Sequence, residues 1–155
     1  MDTVSKNMVP WVSKHAPDCL DESGRDDKSK ILVIDDEPVN TALFEAILAD
    51  NGYVHVKSIN DSRIALQTCR SFAPDLILLD LMMPHFDGIA ILQALRSEPD
   101  KVNMPVIVLT ADETGDTKLC ALDAGATDFM LKPFELAEIL LRIKNHLEMP
   151  TPRRL

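Results

Sequence analysis

The chain has 155 residues, 46% hydrophobic and 26% charged, which suits one ordinary globular domain and does not divide comfortably into two. Its net charge of −9 argues against nucleic acid as the partner of the bulk surface. No apolar run reaches the length of a membrane span and no signal-peptide core opens the chain, so the expectation is a cytoplasmic protein with no membrane contact. Cys19, Cys69 and Cys120 lie far apart and are read as reduced thiols, and His15, His55, His85 and His146 form no ligand pattern.

Residues 1–28 mix Asp, Lys, Ser and Pro without periodicity and are read as a flexible extension, with Val9, Trp11 and Val12 as its apolar residues. An ordered domain is expected over 29–148 and a tail over 149–155. Short runs rich in Val, Ile and Leu recur at Ile31–Ile34, Tyr53–Val56, Leu76–Leu79, Val106–Leu109 and Phe129–Leu131. Four are near-continuous, as strands buried on both faces of a parallel sheet must be. The second alternates and belongs nearer an edge.

Helical spacing fills the gaps. Leu43, Phe44, Ile47 and Leu48 are expected on one face of a first helix, begun by Pro38 and ended by Asn51-Gly52. Asp61 or Ser62 caps a second helix carrying Ala65, Cys69 and Phe72, and Gly88 opens a third carrying Ile91, Leu92 and Leu95. The fourth, Glu113 to Ala124, is poor in large apolar residues, which predicts a loosely held element. Leu136, Ile139, Leu140, Ile143 and Leu147 give the fifth its strong stripe. Five βα units imply an α/β fold of the flavodoxin-like (βα)5 type, a doubly wound five-stranded parallel sheet with helices on both faces. Ligands of such folds bind beyond the carboxyl ends of the strands.

The residues at those ends are Asp35 and Asp36, Asp80, Thr110 and Lys132. Two carboxylates 4 Å apart repel by about 4 kcal/mol at an effective dielectric of 20, so such a cluster calls for a cation. Oxygen donors without soft ligands point to Mg²⁺. A carboxylate beside that ion can itself act as a nucleophile toward phosphorus, with Thr110 and Lys132 placed to receive the phosphoryl oxygens. Each residue has a plainer reading alone: a solvated loop start, a helix cap, a surface lysine. All five on one rim favour the chemical reading.

The segments Ile31-Leu32-Val33-Ile34-Asp35-Asp36-Glu37-Pro38, Leu78-Leu79-Asp80-Leu81-Met82-Met83-Pro84-His85-Phe86-Asp87-Gly88, Val108-Leu109-Thr110-Ala111 and Lys132-Pro133-Phe134 resemble the receiver domain of bacterial two-component response regulators. The resemblance covers about Lys30 to Leu147. It implies that Asp80 accepts a phosphoryl group from a sensor histidine kinase or phosphotransfer protein. Asp35, Asp36, Asp80 and the main-chain carbonyl of Met82 would hold Mg²⁺, Lys132 would pair with the phosphoryl group, and the Lys132-Pro133 bond would be cis. Thr110 and Phe129 would form the switch, with Phe129 standing where the family often has Tyr. Signalling and possible homodimer formation would run through the fourth helix, fifth strand and fifth helix. Asp112, Met82 and Met83 flank the pocket and are expected to influence the phosphate's lifetime. His85 is read as an exposed loop residue.

The resemblance implies a phosphoacceptor with self-phosphorylation and autodephosphorylation chemistry rather than a turnover enzyme, without an organic cofactor and without direct nucleic-acid contact. No output domain is read after Leu147, so the chain is taken as a stand-alone receiver or as part of a longer regulator. The run Arg142 to Glu148 resembles helix ends that lead to cyclic-di-GMP output domains. The alternative chemistry is an aspartyl-phosphate-type, Mg²⁺-dependent phosphatase of the haloacid dehalogenase-like kind, but Met82 stands where that family wants a second Asp. A flavodoxin-like cofactor module is disfavoured by Asp35-Asp36-Glu37, and a phosphorylation-dead scaffold by the intact acidic, Thr and Lys set.

Overall fold

The computed structural model describes residues 27–81, 88–112, 114–133 and 135–148. In chain order the elements are β1 (Asp27–Ile34), α1 (Pro38–Asp50), β2 (Tyr53–Ile59), α2 (Ala65–Phe72), β3 (Leu76–Asp80), α3 (Gly88–Arg96), β4 (Val106–Thr110), α4 (Gly115–Ala124), β5 (Asp128–Leu131) and α5 (Leu136–Glu148). The sheet order is β2-β1-β3-β4-β5 and each neighbouring pair is parallel. Strand order reverses between β1 and β3, which sets the ligand crevice beyond their carboxyl ends. The alternating second strand is an edge strand, and the (βα)5 flavodoxin-like architecture is the expected one.

Successive residues of a strand face opposite ways, and the core divides accordingly. Leu32, Ile34, Ile77, Leu79, Val106 and Val108 pack toward α2, α3 and α4, against Cys69, Ile91, Leu92, Leu95 and Ala121. Ile31, Val33, Leu76, Leu78, Ile107 and Leu109 pack toward α1 and α5, against Phe44, Leu48, Ile139, Leu140 and Ile143. Burying a Leu or Ile side chain contributes roughly 1.5–3 kcal/mol, so the strands are fixed firmly in register.

Several details depart from the sequence reading. The inward stripe of α1 is Thr41, Phe44 and Leu48, with Ile47 half-buried, while Leu43 is 51% exposed. Leu43 precedes Phe44 by one residue, a turn of about 100°, and Thr41 takes the inner place instead. The Thr41 hydroxyl donates to the Pro38 carbonyl at 3.0 Å and accepts from the Asn60 amide at 3.1 Å, so this polar residue is buried fully partnered. Asp61 caps a 3-10 turn, Ser62–Ile64, rather than α2 itself, through a bond from the Arg63 N–H. The fourth helix starts at Gly115, not Glu113, because the Thr114 side chain caps it. β2 runs on to Ile59, and β1 begins at Asp27 with an irregular register before Lys30.

The starts of α3 and α4 differ in how firmly they are seated. A Cβ on Gly88 would lie 2.8 Å from Leu81 Cα and 3.2 Å from the Asp80 carbonyl oxygen, so α3 begins pressed against the end of β3. α4 is loosely held, as its sequence predicts: Ala121 is its buried residue, while Leu119 and Leu122 are 66% and 42% exposed. It ends at Gly125, whose φ of 113° suits glycine.

Candidate functional site

β3 and β4 end on Asp80 and Thr110, and Asp35 and Lys132 are the first residues beyond β1 and β5. Oxygens of Asp35, Asp36 and Asp80 lie within 4.8 Å of one another. Asp35 is 1% exposed and Asp80 4%, while Asp36 is half-buried. The Lys132 ammonium stands 3.6 Å from Asp35 Oδ2 and 3.6 Å from Asp80 Oδ2, bridging the two buried carboxylates.

The Asp35 carboxylate is held on both oxygens. The Glu37 N–H donates to Oδ1 at 3.0 Å and the Asn40 side-chain amide donates to Oδ2 at 3.2 Å. The Asn60 amide donates at 2.8 Å to the Asp35 main-chain carbonyl, and the Asp35 N–H donates to the Ile59 carbonyl. Asn40 and Asn60 are thus parts of the pocket that the sequence reading passed over. Their signals were present. Asn60 is the residue beyond β2, found by the same rule that found the others, and Asn40 lies in the first turn of the helix that follows the acidic pair.

Thr110 is fully buried, and its main-chain carbonyl accepts from the Lys132 N–H at 2.8 Å. Its hydroxyl accepts from the Asp112 N–H at 3.1 Å. The Asp112 carboxylate accepts from the Thr117 hydroxyl at 2.5 Å and the Thr114 N–H at 2.9 Å, which hold it below the usual carboxylate range. Phe129 pairs with Val108 across β4 and β5, is half-buried, and packs against the α2–α4 side of the core. An open groove of about 610 Å³ runs over β5 between α4 and α5, with Phe129, Lys118 and Glu138 in its lining. The Lys132-Pro133 bond is cis, as expected. Met82, Met83, Pro84, His85, Phe134, residues 1–26 of the N-terminal extension and the C-terminal tail lie outside the described residues, while Asp27 and Lys28, expected in the extension, belong to β1.

A doubly wound parallel sheet with an acidic trio and a bridging lysine at its strand ends has its candidate site where ligands of such folds bind. The response regulator receiver domain family matches residues 31–144, and the chain belongs to that family. It is 40% identical over 123 residues to the response regulator MprA of Mycolicibacterium vanbaalenii, covering 79% of this chain and 52% of that protein. The MprA of Mycobacterium leprae is 38% identical, with 79% and 53% covered. The chain spans about half the length of these curated relatives. Among solved structures, a putative response regulator from Chloroflexus aurantiacus aligns with a TM-score of 0.74 and 30% identity, covering 79% of this chain and 100% of that one. The BeF3-activated N-terminal receiver domain of RstA from Klebsiella pneumoniae aligns at 0.71 with 29% identity, covering 77% and 99%. The matched residues therefore form a receiver domain of the two-component signalling type.

Proposed function

We propose that Asp80 is the phosphoacceptor and that Asp35, Asp36 and Asp80 hold Mg²⁺ beside it. The observation that carries this reading is the charge count of the pocket. Three carboxylates gather within 4.8 Å, and Lys132 brings one positive charge to two of them. The remainder matches a divalent cation, and an all-oxygen donor set suits a hard ion. By family resemblance the main-chain carbonyl of Met82 would be a further ligand. Bound there, Mg²⁺ supplies neutralisation of the phosphoryl oxygens and alignment of the transfer.

An Asp80 carboxylate oxygen attacks the phosphorus of a phosphohistidine on a sensor kinase or phosphotransfer protein. The P–O bond forms as the P–N bond breaks, and the imidazole leaves. Lys132, already 3.6 Å from Asp80 Oδ2, moves its charge onto the new phosphoryl group. Thr110 turns its hydroxyl toward a phosphoryl oxygen, and Phe129 follows by changing the burial of its ring. The signal emerges at the α4–β5–α5 groove, which serves a partner, an output domain or a second copy of the chain.

On this reading residues 29–148 form the receiver, preceded by an extension over 1–28 and followed by a tail over 149–155. Self-phosphorylation and autodephosphorylation are properties of the same pocket. The cytoplasm is the compartment where a kinase-fed aspartyl phosphate and the free thiols Cys69 and Cys120 are at home. Among the described residues no helix is long and apolar enough to cross a membrane.

The test is incubation with Mg²⁺ and acetyl phosphate, followed by intact-mass analysis. One acid-labile phosphoryl group is expected, dependent on Mg²⁺ and absent from Asp80→Asn. Labelling that persists in that variant, or without a divalent ion, would sink the mechanism.

A further inference from the structure

A continuous chain of hydrogen bonds runs from the Thr110 hydroxyl to the first turn of α4. The Asp112 N–H donates to Thr110 Oγ1 at 3.1 Å, which fixes the side-chain rotamer of Thr110. The carboxylate of the same residue is anchored on the helix, accepting from the Thr117 hydroxyl at 2.5 Å and from the Thr114 N–H at 2.9 Å. Thr114 and Thr117 are tied to each other in turn, hydroxyl to hydroxyl at 3.2 Å and N–H to hydroxyl at 3.4 Å. Asp112 therefore touches β4's last residue with its backbone and α4 with its side chain. Thr110 cannot turn away without breaking the backbone bond or pulling residue 112 along. Residue 112 cannot move without releasing Thr117 or carrying the helix start with it.

We propose that Asp112 and Thr117 are positioning residues that latch the start of α4 to Thr110 and set the threshold for the switch. The proposal rests on Asp80 being the phosphoacceptor. Little else holds this end of the helix, since Ala121 is the buried residue of α4. The other end is pinned. Arg96 Nε and Nη2 donate to the Gly125 carbonyl at 2.9 and 2.7 Å, and Nη1 donates to the Lys101 carbonyl at 2.7 Å. Release of the latch thus frees the N-terminal turn while the C-terminal end stays against α3, and the helix swings about Gly125. The Thr117 hydroxyl is the first cause of the lowered pKa of Asp112, as expected of a bond made to the ionised carboxylate.

The experiment compares the wild type, Thr117→Val and Thr117→Ser in two measurements on the full chain. The first is NMR hydrogen exchange at the Asp112 and Thr114 amides without ligand. The second is titration with beryllofluoride, a stable stand-in for the phosphoryl group, in Mg²⁺. Thr117→Val removes the hydroxyl's bonds to Asp112 and Thr114, and one lost hydrogen bond is worth about fivefold, so the variant should exchange at least about fivefold faster and half-saturate at a beryllofluoride concentration lower by at least about fivefold. Thr117→Ser should restore both. A merely structural role would weaken ligand binding instead of strengthening it. Unchanged exchange in Thr117→Val, or faster exchange without tighter binding, would overturn the latch. A wild type that ignores beryllofluoride would overturn the acceptor reading, and the proposal with it.

Discussion

The side-chain amide of Asn40 donates to Asp35 Oδ2 at 3.2 Å, the same oxygen that lies 3.6 Å from the Lys132 ammonium. With the Glu37 N–H on Oδ1, the plane of this buried carboxylate is set before any ion arrives. Partners behind metal ligands typically account for about 10–100-fold in affinity. Asn40→Ala should therefore weaken Mg²⁺ binding about tenfold, measured by calorimetry, with little change in the urea midpoint. Unaltered Mg²⁺ affinity would show that the Glu37 N–H suffices.

Gly88 and Gly115 make a matched pair of glycines at helix starts. An added Cβ at Gly88 meets the Leu81 backbone at 2.8 Å, whereas at Gly115 nothing lies within 4 Å. Gly88→Ala should cost roughly 1–3 kcal/mol through forced backbone shifts. Gly115→Ala should be neutral or stabilise by up to about 1 kcal/mol, since alanine loses less backbone freedom on folding. Urea unfolding of both variants checks the contrast.

Asp128, the first residue of β5, ties the end of α5 to the sheet. Its carboxylate accepts from Arg142 Nη1 at 2.5 Å and the Phe129 N–H at 2.8 Å, and lies 3.0 Å from His146 Nε2. Partial burial opposes its ionisation, but the bonds from His146, Arg142 and Phe129 outweigh it and lower its pKa. The folded value lies below the unfolded one of about 3.9, so in that window the unfolded state binds more protons. This contribution to stability is present above about pH 4 and is lost as pH falls through the folded value. Urea midpoints from pH 5 down to pH 2 should fall more steeply for the wild type than for Asp128→Asn. Parallel profiles would show that the contact contributes no linkage.

Cys69 is fully buried, and burial pushes its thiol up to about 11, while Cys120 is exposed on α4. The thiolate is the reactive form, so alkylation at pH 8 should mark Cys120 readily and Cys69 at least about 100-fold more slowly. Peptide mapping distinguishes the two sites. Labelling of Cys69 should appear only as denaturant opens the domain.

Most of the architecture was legible because the strands are buried on both faces and read as unbroken apolar runs. The strand-end rule then located Asp35, Asp36, Asp80, Thr110 and Lys132 without any three-dimensional information. It missed Asn60 because the apolar signal of β2 fades after Val56: Lys57 and Ser58 are polar on a half-covered edge strand. It missed Asn40 because a polar residue in a helix's first turn looks like a solvated one until the fold turns it onto Asp35. Leu43 misled for the converse reason: one more leucine beside Phe44 widens the apparent stripe, yet Thr41 fills the inner place by satisfying its hydroxyl locally. Hydrophobicity alone does not rank those two. The latch from Thr110 to Thr117 depends on loop geometry after β4, where sequence spacing carries little information.

The Asp128–His146 contact fixes where the fifth helix finishes. Asp128 opens its strand, so the last turns of α5 lie by the amino ends of the sheet, whereas Asp80 and Asp35 lie at the carboxyl ends. A strand of this length spans roughly 13 Å. A segment fused after Glu148 would depart from the rim opposite the acidic pocket. Gene fusion at that point could exchange one appended module for another while leaving the reactive carboxylates undisturbed, with only the body of the domain to carry news between them.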